Sequence, residues 1–425
     1  MASTPPPSLP TAVLDHIGSG ADLIVPLANG EPMTLLDAIE YAAEGLDGVR
    51  IHQMHALHDR PYLHGKFGDR LHHVSYFLSH VTRPCFHDGT VDLVPNHFSE
   101  MRTILREQTR DPLVLAAASP PDRHGYFSLG VSADYVASFI GRARFFLEAN
   151  ARMPRTFGRN QIHTSQVVGW VEADYPLIEV PPTPPTDTDH AIATYVAERI
   201  PNGATIQTGI GATPNAILAA LAEHRDLGVH TELLSDGVID LVEQGVVTGV
   251  AKVINRTKTV ATFALGTARL HDFMHENTAC ELWPVRYVND PRVIAQESNF
   301  VSINATISVD LLGQCASETV AGSYYSSSGG QADFARGAMY SPGGQGFIVL
   351  HSTAKDGTVS RIVPQLAAGD VVTTLKNTVD KIVTEWGVAE LRGRSIRERA
   401  RGLIAVAHPD HRDRLRSEAG RLGYC

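Results

Sequence analysis

Residues 204–233 constrain the fold more than any other stretch. A β-branched run with alternating polar residues ends at Gly209-Ile210-Gly211, and Thr213-Pro214 follows. Thr213 suits a helix N-cap, and Pro214 suits the first helical position, where its missing N–H costs nothing. Residues 216–223, rich in Ala and Leu, continue as a helix, with Gly228 as its C-terminal stop. Residues 229–233 then read as the next strand, closely followed by Ser235-Asp236-Gly237. One strand–loop–helix unit therefore presents a glycine loop, and the next strand delivers Glu232 to the same sheet edge. In open α/β sheets that edge is where ligands bind.

The same alternation runs through the rest of the chain. Strands are predicted over 21–27, 49–54 and 113–118, a helix over 34–43, and a turn over 119–125. Residues 143–148 and 165–171 extend the pattern. The run Val180-Pro-Pro-Thr-Pro-Pro-Thr-Asp-Thr-Asp189 is the strongest linker signal. A helix over 190–199 opens the second half. Beyond Glu232 come a helix over 238–244 with Gly245 at its stop, a strand over 259–265 and a helix over 268–276. Strands alternating with helices imply mainly parallel sheets in two tandem open α/β domains. The expected division is 1–180, a linker at 181–189, and 190–425, with residues 1–10 a loose tail.

Composition excludes several classes. Of 425 residues, 43% are hydrophobic and 19% charged, which describes a soluble globular protein. A net charge of -10, with no basic stripe, excludes nucleic acid as a partner. No apolar run approaches the roughly 20 residues needed to span a bilayer, and the N-terminus lacks a signal-peptide pattern. Cys85, Cys280, Cys315 and Cys425 are scattered without metal or disulfide spacing, so a reduced, cytoplasmic protein is expected.

The later loops are more specific. Gly329-Gly330 reads either as a tight turn or as paired glycines whose N–H groups approach a ligand and stabilise an oxyanion. The ordered set G-I-G-A-T-P-N-A, H-T-E-L-L-S-D-G, R-Y-V-N-D-P, S-I-N-A-T-I-S-V-D-L-L-G-Q, G-G-Q-A-D-F-A-R-G-A, S-T-A-K-D-G and L-I-A-V-A-H-P-D runs from Gly209 to Asp410. It resembles the acetyl-CoA hydrolase/transferase family of class I CoA-transferases, on its 4-hydroxybutyrate CoA-transferase branch. Ser119-Pro120, His124-Gly125-Tyr126 and Gly130-Val131-Ser132 fit that family's first domain.

The resemblance implies domains of the NagB/RpiA/CoA-transferase-like kind with the active site at their interface. It implies a ping-pong transfer from an acyl-CoA to a small carboxylate such as acetate, succinate or 4-hydroxybutyrate, through a glutamyl-CoA thioester. That is nucleophilic catalysis by a carboxylate, and it needs no metal or tightly bound cofactor. The family glutamate falls on Glu232, followed here by Leu233 where Met is usual, a swap that conserves volume. Gly209, Ile210, Gly211, Ala212 and Thr213 match the CoA-contacting loop. Gly330 matches the oxyanion glycine beside the thioester end of CoA, Lys355 a basic residue near CoA, and Asn304 an asparagine near the reacting carbonyl. An ordinary surface lysine and a turn-stabilising asparagine are the plain readings of the last two. The resemblance also implies a homodimer or homotetramer.

Other readings compete. The third glycine of G-x-G-x-x-G is absent after Gly211, Pro214 standing in its place, so a dinucleotide site fits poorly. Nine histidines between His52 and His97 suggest a metalloenzyme, but their spacing matches no metal pattern. A non-catalytic CoA-binding protein would have no use for Glu232. An acyl-CoA hydrolase would use the same glutamate, with water as the attacking group.

Overall fold

Leu113–Ala118 is a strand with all six residues buried. It is apolar throughout because a parallel strand is covered on both faces. In the computed structural model, which describes residues 6–424, this strand lies in a seven-stranded sheet. The order is Gly169–Ala173, Arg144–Asn150, Leu113–Ala118, Asp22–Val25, Val49–Gln53, Leu71–Ser75, Val91–Leu93, every pair parallel. Leu23, Val25, Leu35, Leu36 and Ile39 begin the core on one face, where the helix Met33–Tyr41 packs its apolar side. The tail expected over 1–10 lies partly outside the described residues, and Cys425 lies wholly outside them. The described cysteines, Cys85, Cys280 and Cys315, are buried free thiols.

The chain divides into two compact units, but not at a single boundary. Met1–Val180 with Val260–Val288 form one, and Pro181–Thr259 with Asn289–Cys425 the other. Residues 260–288, expected in the second half, count with the first unit: Asp134 N donates to Thr262 O at 2.9 Å and Val285 N to Asp134 O at 2.8 Å.

The second unit carries strands ordered Gly387–Glu390, Lys381–Thr384, Gln345–Val349, Phe300–Ala305, Thr205–Gln207, Gly228–Leu234. All are parallel except the terminal Gly387–Glu390 hairpin partner. From Thr205–Gln207 the chain winds outward to Gly228–Leu234, whereas Phe300–Ala305, on its other flank, leads outward to Gln345–Val349. The winding therefore reverses between Thr205–Gln207 and Phe300–Ala305. The crevice at the carboxyl ends of such a pair is the usual ligand position.

Local details differ from expectation in three places. The helix after the glycine loop is Ala212–Ala220 with Gly211, at φ +117°, as N-cap, so Thr213 and Pro214 sit in its first turn. The Thr213 hydroxyl is engaged by a distant carboxylate instead of the backbone beneath it. Gly228 does not end that helix but opens the next strand, where a Cβ would run into the Lys252 side chain and the Thr205 hydroxyl. The linker stops earlier than 189, because Thr186 and Asp189 form a capping box on the helix Asp187–Ala197.

Candidate active site

The strand Gly228–Leu234 buries Val229, His230, Thr231, Leu233 and Leu234 and leaves only Glu232 part-exposed among its last six residues. Successive side chains alternate between faces, so His230 and Glu232 share one. His230 packs edge-on against Phe300 at 6.1 Å between centroids. The Thr231 hydroxyl donates to the Thr208 carbonyl at 3.0 Å, tying this strand to the glycine loop.

Glu232 meets two donors. Asn289 Nδ2 donates to Glu232 Oε2 at 2.6 Å, and the Gly330 backbone N–H donates to the same carboxylate. Gly330 is the N-cap of the helix Gln331–Tyr340, so that helix presents its partly positive end to Glu232. A side chain cannot stand at position 330: a Cβ there would overlap both the Glu232 carboxylate and the Asn289 amide. Asp333, buried in the first turn of the same helix, is a like charge nearby. Burial pushes the Glu232 carboxyl up, to about 7, and Asp333 adds to the rise; the Asn289 and Gly330 donors oppose it. The result is a carboxylate that is ionised with difficulty and weakly satisfied when it is.

The glycine loop is held from behind. Asp189, buried at the start of the helix Asp187–Ala197, accepts from Thr186 N at 2.9 Å and Thr186 Oγ1 at 2.6 Å. It also accepts from His351 Nε2 at 2.8 Å and from the Thr213 hydroxyl. Burial works to raise this carboxyl too, but the donors outweigh it and hold Asp189 well below the usual carboxylate range. Gly209 has open space where a Cβ would stand, and Ile210 is exposed, so the loop's outer surface is free.

The expected site residues therefore divide. Glu232 and Gly330 are in direct contact. Asn304 instead exchanges hydrogen bonds with Gln207, at 3.2 and 3.3 Å. It is the last residue but one of the strand Phe300–Ala305, two strands across from Glu232 and on the far side of the crevice. Lys355 is exposed, at φ +49°, in the turn between Thr353–Ala354 and Val359–Ser360. Its carbonyl accepts from Thr358 N at 3.2 Å and Thr358 Oγ1 at 2.7 Å, and among the described residues no hydrogen bond joins it to the other expected site residues. Asn289 and Asp189 were the residues that sequence reasoning passed over. Asn289 lies within the R-Y-V-N-D-P motif, and Asp189 was legible as the fourth residue of a Thr-x-x-Asp helix start.

Four of the nine histidines between His52 and His97 answer separate carboxylates: His52 with Asp22, His58 with Glu31, His64 with Asp59 and His72 with Asp92. Among the described residues, no three His, Cys, Asp or Glu side chains group as metal ligands. Nor is any helix long and apolar enough to cross a membrane.

Residues 10–181 match the acetyl-CoA hydrolase/transferase N-terminal domain, and residues 266–419 match the C-terminal domain. The chain is 45% identical to succinyl-CoA:cyclohexane-1-carboxylate CoA transferase of Geobacter metallireducens, over 96% of this chain and 93% of that protein. It is 41% identical to 4-hydroxybutyrate coenzyme A transferase of Clostridium kluyveri, over 92% of each. Among solved structures, RipA from Yersinia pestis superposes with a TM-score of 0.93 at 39% identity, covering 98% of both chains. The chain belongs to the acetyl-CoA hydrolase/transferase family and is an enzyme of the CoA-transferase type.

Proposed function

We propose that this enzyme moves CoA from an acyl-CoA to a small carboxylic acid of the acetate, succinate or 4-hydroxybutyrate type, with Glu232 as covalent nucleophile. The observation that carries this reading is the Glu232 carboxylate at the sheet's carboxyl edge, bonded to the Gly330 N–H and the Asn289 amide. The ionised Glu232 oxygen attacks the thioester carbonyl, the C–S bond breaks, and a mixed anhydride and CoA thiolate form. The thiolate then attacks the glutamyl carbonyl carbon and expels the donor acid as its carboxylate, leaving a glutamyl-CoA thioester. An acceptor carboxylate repeats the two steps in reverse and departs as the new acyl-CoA, returning Glu232 to its ionised form.

The surroundings suit these steps. Once Glu232 has given its charge to the bond, the Gly330 N–H is released to serve the oxyanion of the tetrahedral intermediate. The 209–213 loop and the N-terminus of the Ala212–Ala220 helix offer backbone donors to anionic or carbonyl groups of CoA. Lys355 and Asn304 are assigned supporting roles, with CoA and with the substrate carbonyl respectively. Hydrolysis would follow if water reached the glutamyl-CoA thioester before an acceptor acid.

Incubation with an acyl-CoA and no acceptor is the test. The expected product is a CoA adduct, removed by borohydride, on the peptide that contains Glu232. Intact-mass spectra that show turnover but never an adduct would overturn the covalent reading.

A further inference from the structure

The amino edge of the first unit's sheet carries a cluster of arginines that the transfer reaction does not use. Arg102 and Arg106 stand four residues apart on the helix Met101–Gln108, which places them on one face. Arg142 lies just before the strand Arg144–Asn150. These three side chains line a cavity of about 290 Å³, together with the apolar Phe139 and Pro112 and with Thr109. Arg286, on the short helix Val285–Val288, adds a fourth charge close enough to act on Arg102.

The cluster has few counter-charges. Among the described residues Arg102, Arg142 and Arg286 have no carboxylate partner, and Arg106 has only its exposed neighbour Glu107, at 3.8 Å. Asp111, the one carboxylate lining the cavity, is already paired with Arg144 at 3.2 Å. Burial and the charges of Arg286, Arg142 and Arg106 hold the Arg102 guanidinium below the usual arginine range. Like charges gathered without partners repel one another, and in a chain of net charge -10 counter-charges are plentiful elsewhere.

The position matters as well. Leu113 and Arg144 are register partners at the start of adjacent parallel strands, and the cavity is lined by residues just before both. Substrates of open α/β sheets bind at the opposite, carboxyl edge.

We propose that Arg102, Arg106 and Arg142 form a binding site for a phosphorylated small molecule with a flat apolar portion. Guanidinium forks match phosphate oxygens in pairs, and three of them suit a polyanion better than a single carboxylate. Phe139 and Pro112 supply the surface for the apolar portion. The occupant is a ligand other than the acyl-CoA being processed.

Calorimetric titration of the full chain with ATP, and separately with inorganic pyrophosphate, tests this in the absence of CoA, which itself carries phosphates and a flat base. Comparison with a variant of the cavity arginines separates this cavity from the transfer site. Both probes are expected to bind, ATP more tightly, with affinity that falls as salt rises. The double variant Arg102→Gln/Arg142→Gln is expected to weaken ATP by about tenfold or more while leaving CoA exchange at its usual rate. Arg142→Gln alone, at an exposed position, serves if the double variant fails to fold. No binding in the unaltered protein, or equal binding in a folded variant, overturns the site. So does an assembly of two chains that the variant dissociates and ATP does not affect, because the arginines would then face a second copy.

Discussion

Glu232 and Asp189 are both carboxylates enclosed within the second unit near the carboxyl edge of its sheet, and they are driven in opposite directions. Burial raises both. Glu232 has the Asn289 amide and one backbone N–H to set against burial, and an acidic neighbour in Asp333. Asp189 has four donors from Thr186, Thr213 and His351. The balance between desolvation and donors decides which carboxylate is comfortable as an anion: desolvation prevails at Glu232, and the donors prevail at Asp189. For Glu232 the rise from 4.5 to about 7 means the charged form costs roughly 3 kcal/mol relative to water. A carboxylate in that condition gains by forming a bond. One whose oxygens are saturated with donors gains nothing, and Asp189 is suited to anchoring the loop.

The sharpest way to break this comparison is to remove each carboxylate in turn. Glu232→Ala should lower kcat by about 10⁴-fold or more, because on the proposed mechanism Glu232 alone forms the covalent intermediate. Glu232→Asp should keep at most weak activity, its carboxylate drawn back by one methylene. A coupled assay of CoA exchange measures both, and an active Ala variant would transfer the nucleophile's role elsewhere. Gly330→Ala comes next. Its methyl must displace the carboxylate or the Asn289 amide, and loss of the aligned N–H should cost about 10²- to 10³-fold in kcat. Unchanged kcat in this variant would mean that Gly330 serves only to start its helix.

How much of this was legible depends on how far along the chain each cause lies. The strand Leu113–Ala118 and the strand Gly228–Leu234 that carries Glu232 were legible because burial on both faces writes a local apolar run. Gly245, at φ +73°, ends its helix as the pattern predicts. The contact between Asn289 and Glu232 spans 57 residues, and nothing near either residue encodes it. Thr213 was misplaced for the same reason: local rules favour it as a cap, but Asp189, 24 residues earlier, takes its hydroxyl. Gly228 is a glycine because Lys252 and Thr205 crowd it, a packing cause that imitates a helix stop. The return of Val260–Val288 to the first unit leaves no mark in composition, since its strands look like any others.

The anchoring half of the comparison predicts a smaller and different effect. Asp189→Asn keeps the shape but replaces an acceptor oxygen with a donor facing hydroxyl and imidazole groups. KM for acyl-CoA should rise by about tenfold with kcat within a few-fold, and the protein should lose about 2 kcal/mol of stability near neutral pH. Because the folded Asp189 pKa is depressed, the stability it confers is present above the unfolded value near 3.8 and is lost as pH falls through the folded value. Chemical denaturation at pH 7 and at pH 3 should therefore show the variant's deficit shrinking in acid. A variant that lost kcat instead of acyl-CoA affinity would place Asp189 in the chemistry.

The smallest effect tests the cause of Glu232's reluctance to ionise. On the proposed mechanism Glu232 attacks as its carboxylate, so kcat/KM should rise with pH up to about 7 and then level. Asp333→Asn removes a like charge, which makes ionisation easier, and should move that acid limb downward by up to about one pH unit. Stability provides the independent reading. Since the folded Glu232 pKa lies above its unfolded value, ionisation opposes folding increasingly from about pH 4.5 to about 7 and constantly above. Glu232→Gln removes that penalty, so its melting temperature should exceed the unaltered protein's at pH 8 and approach it near pH 4. If the two proteins melted alike at every pH, burial would not be the strain on Glu232, and the acid limb would belong to another group.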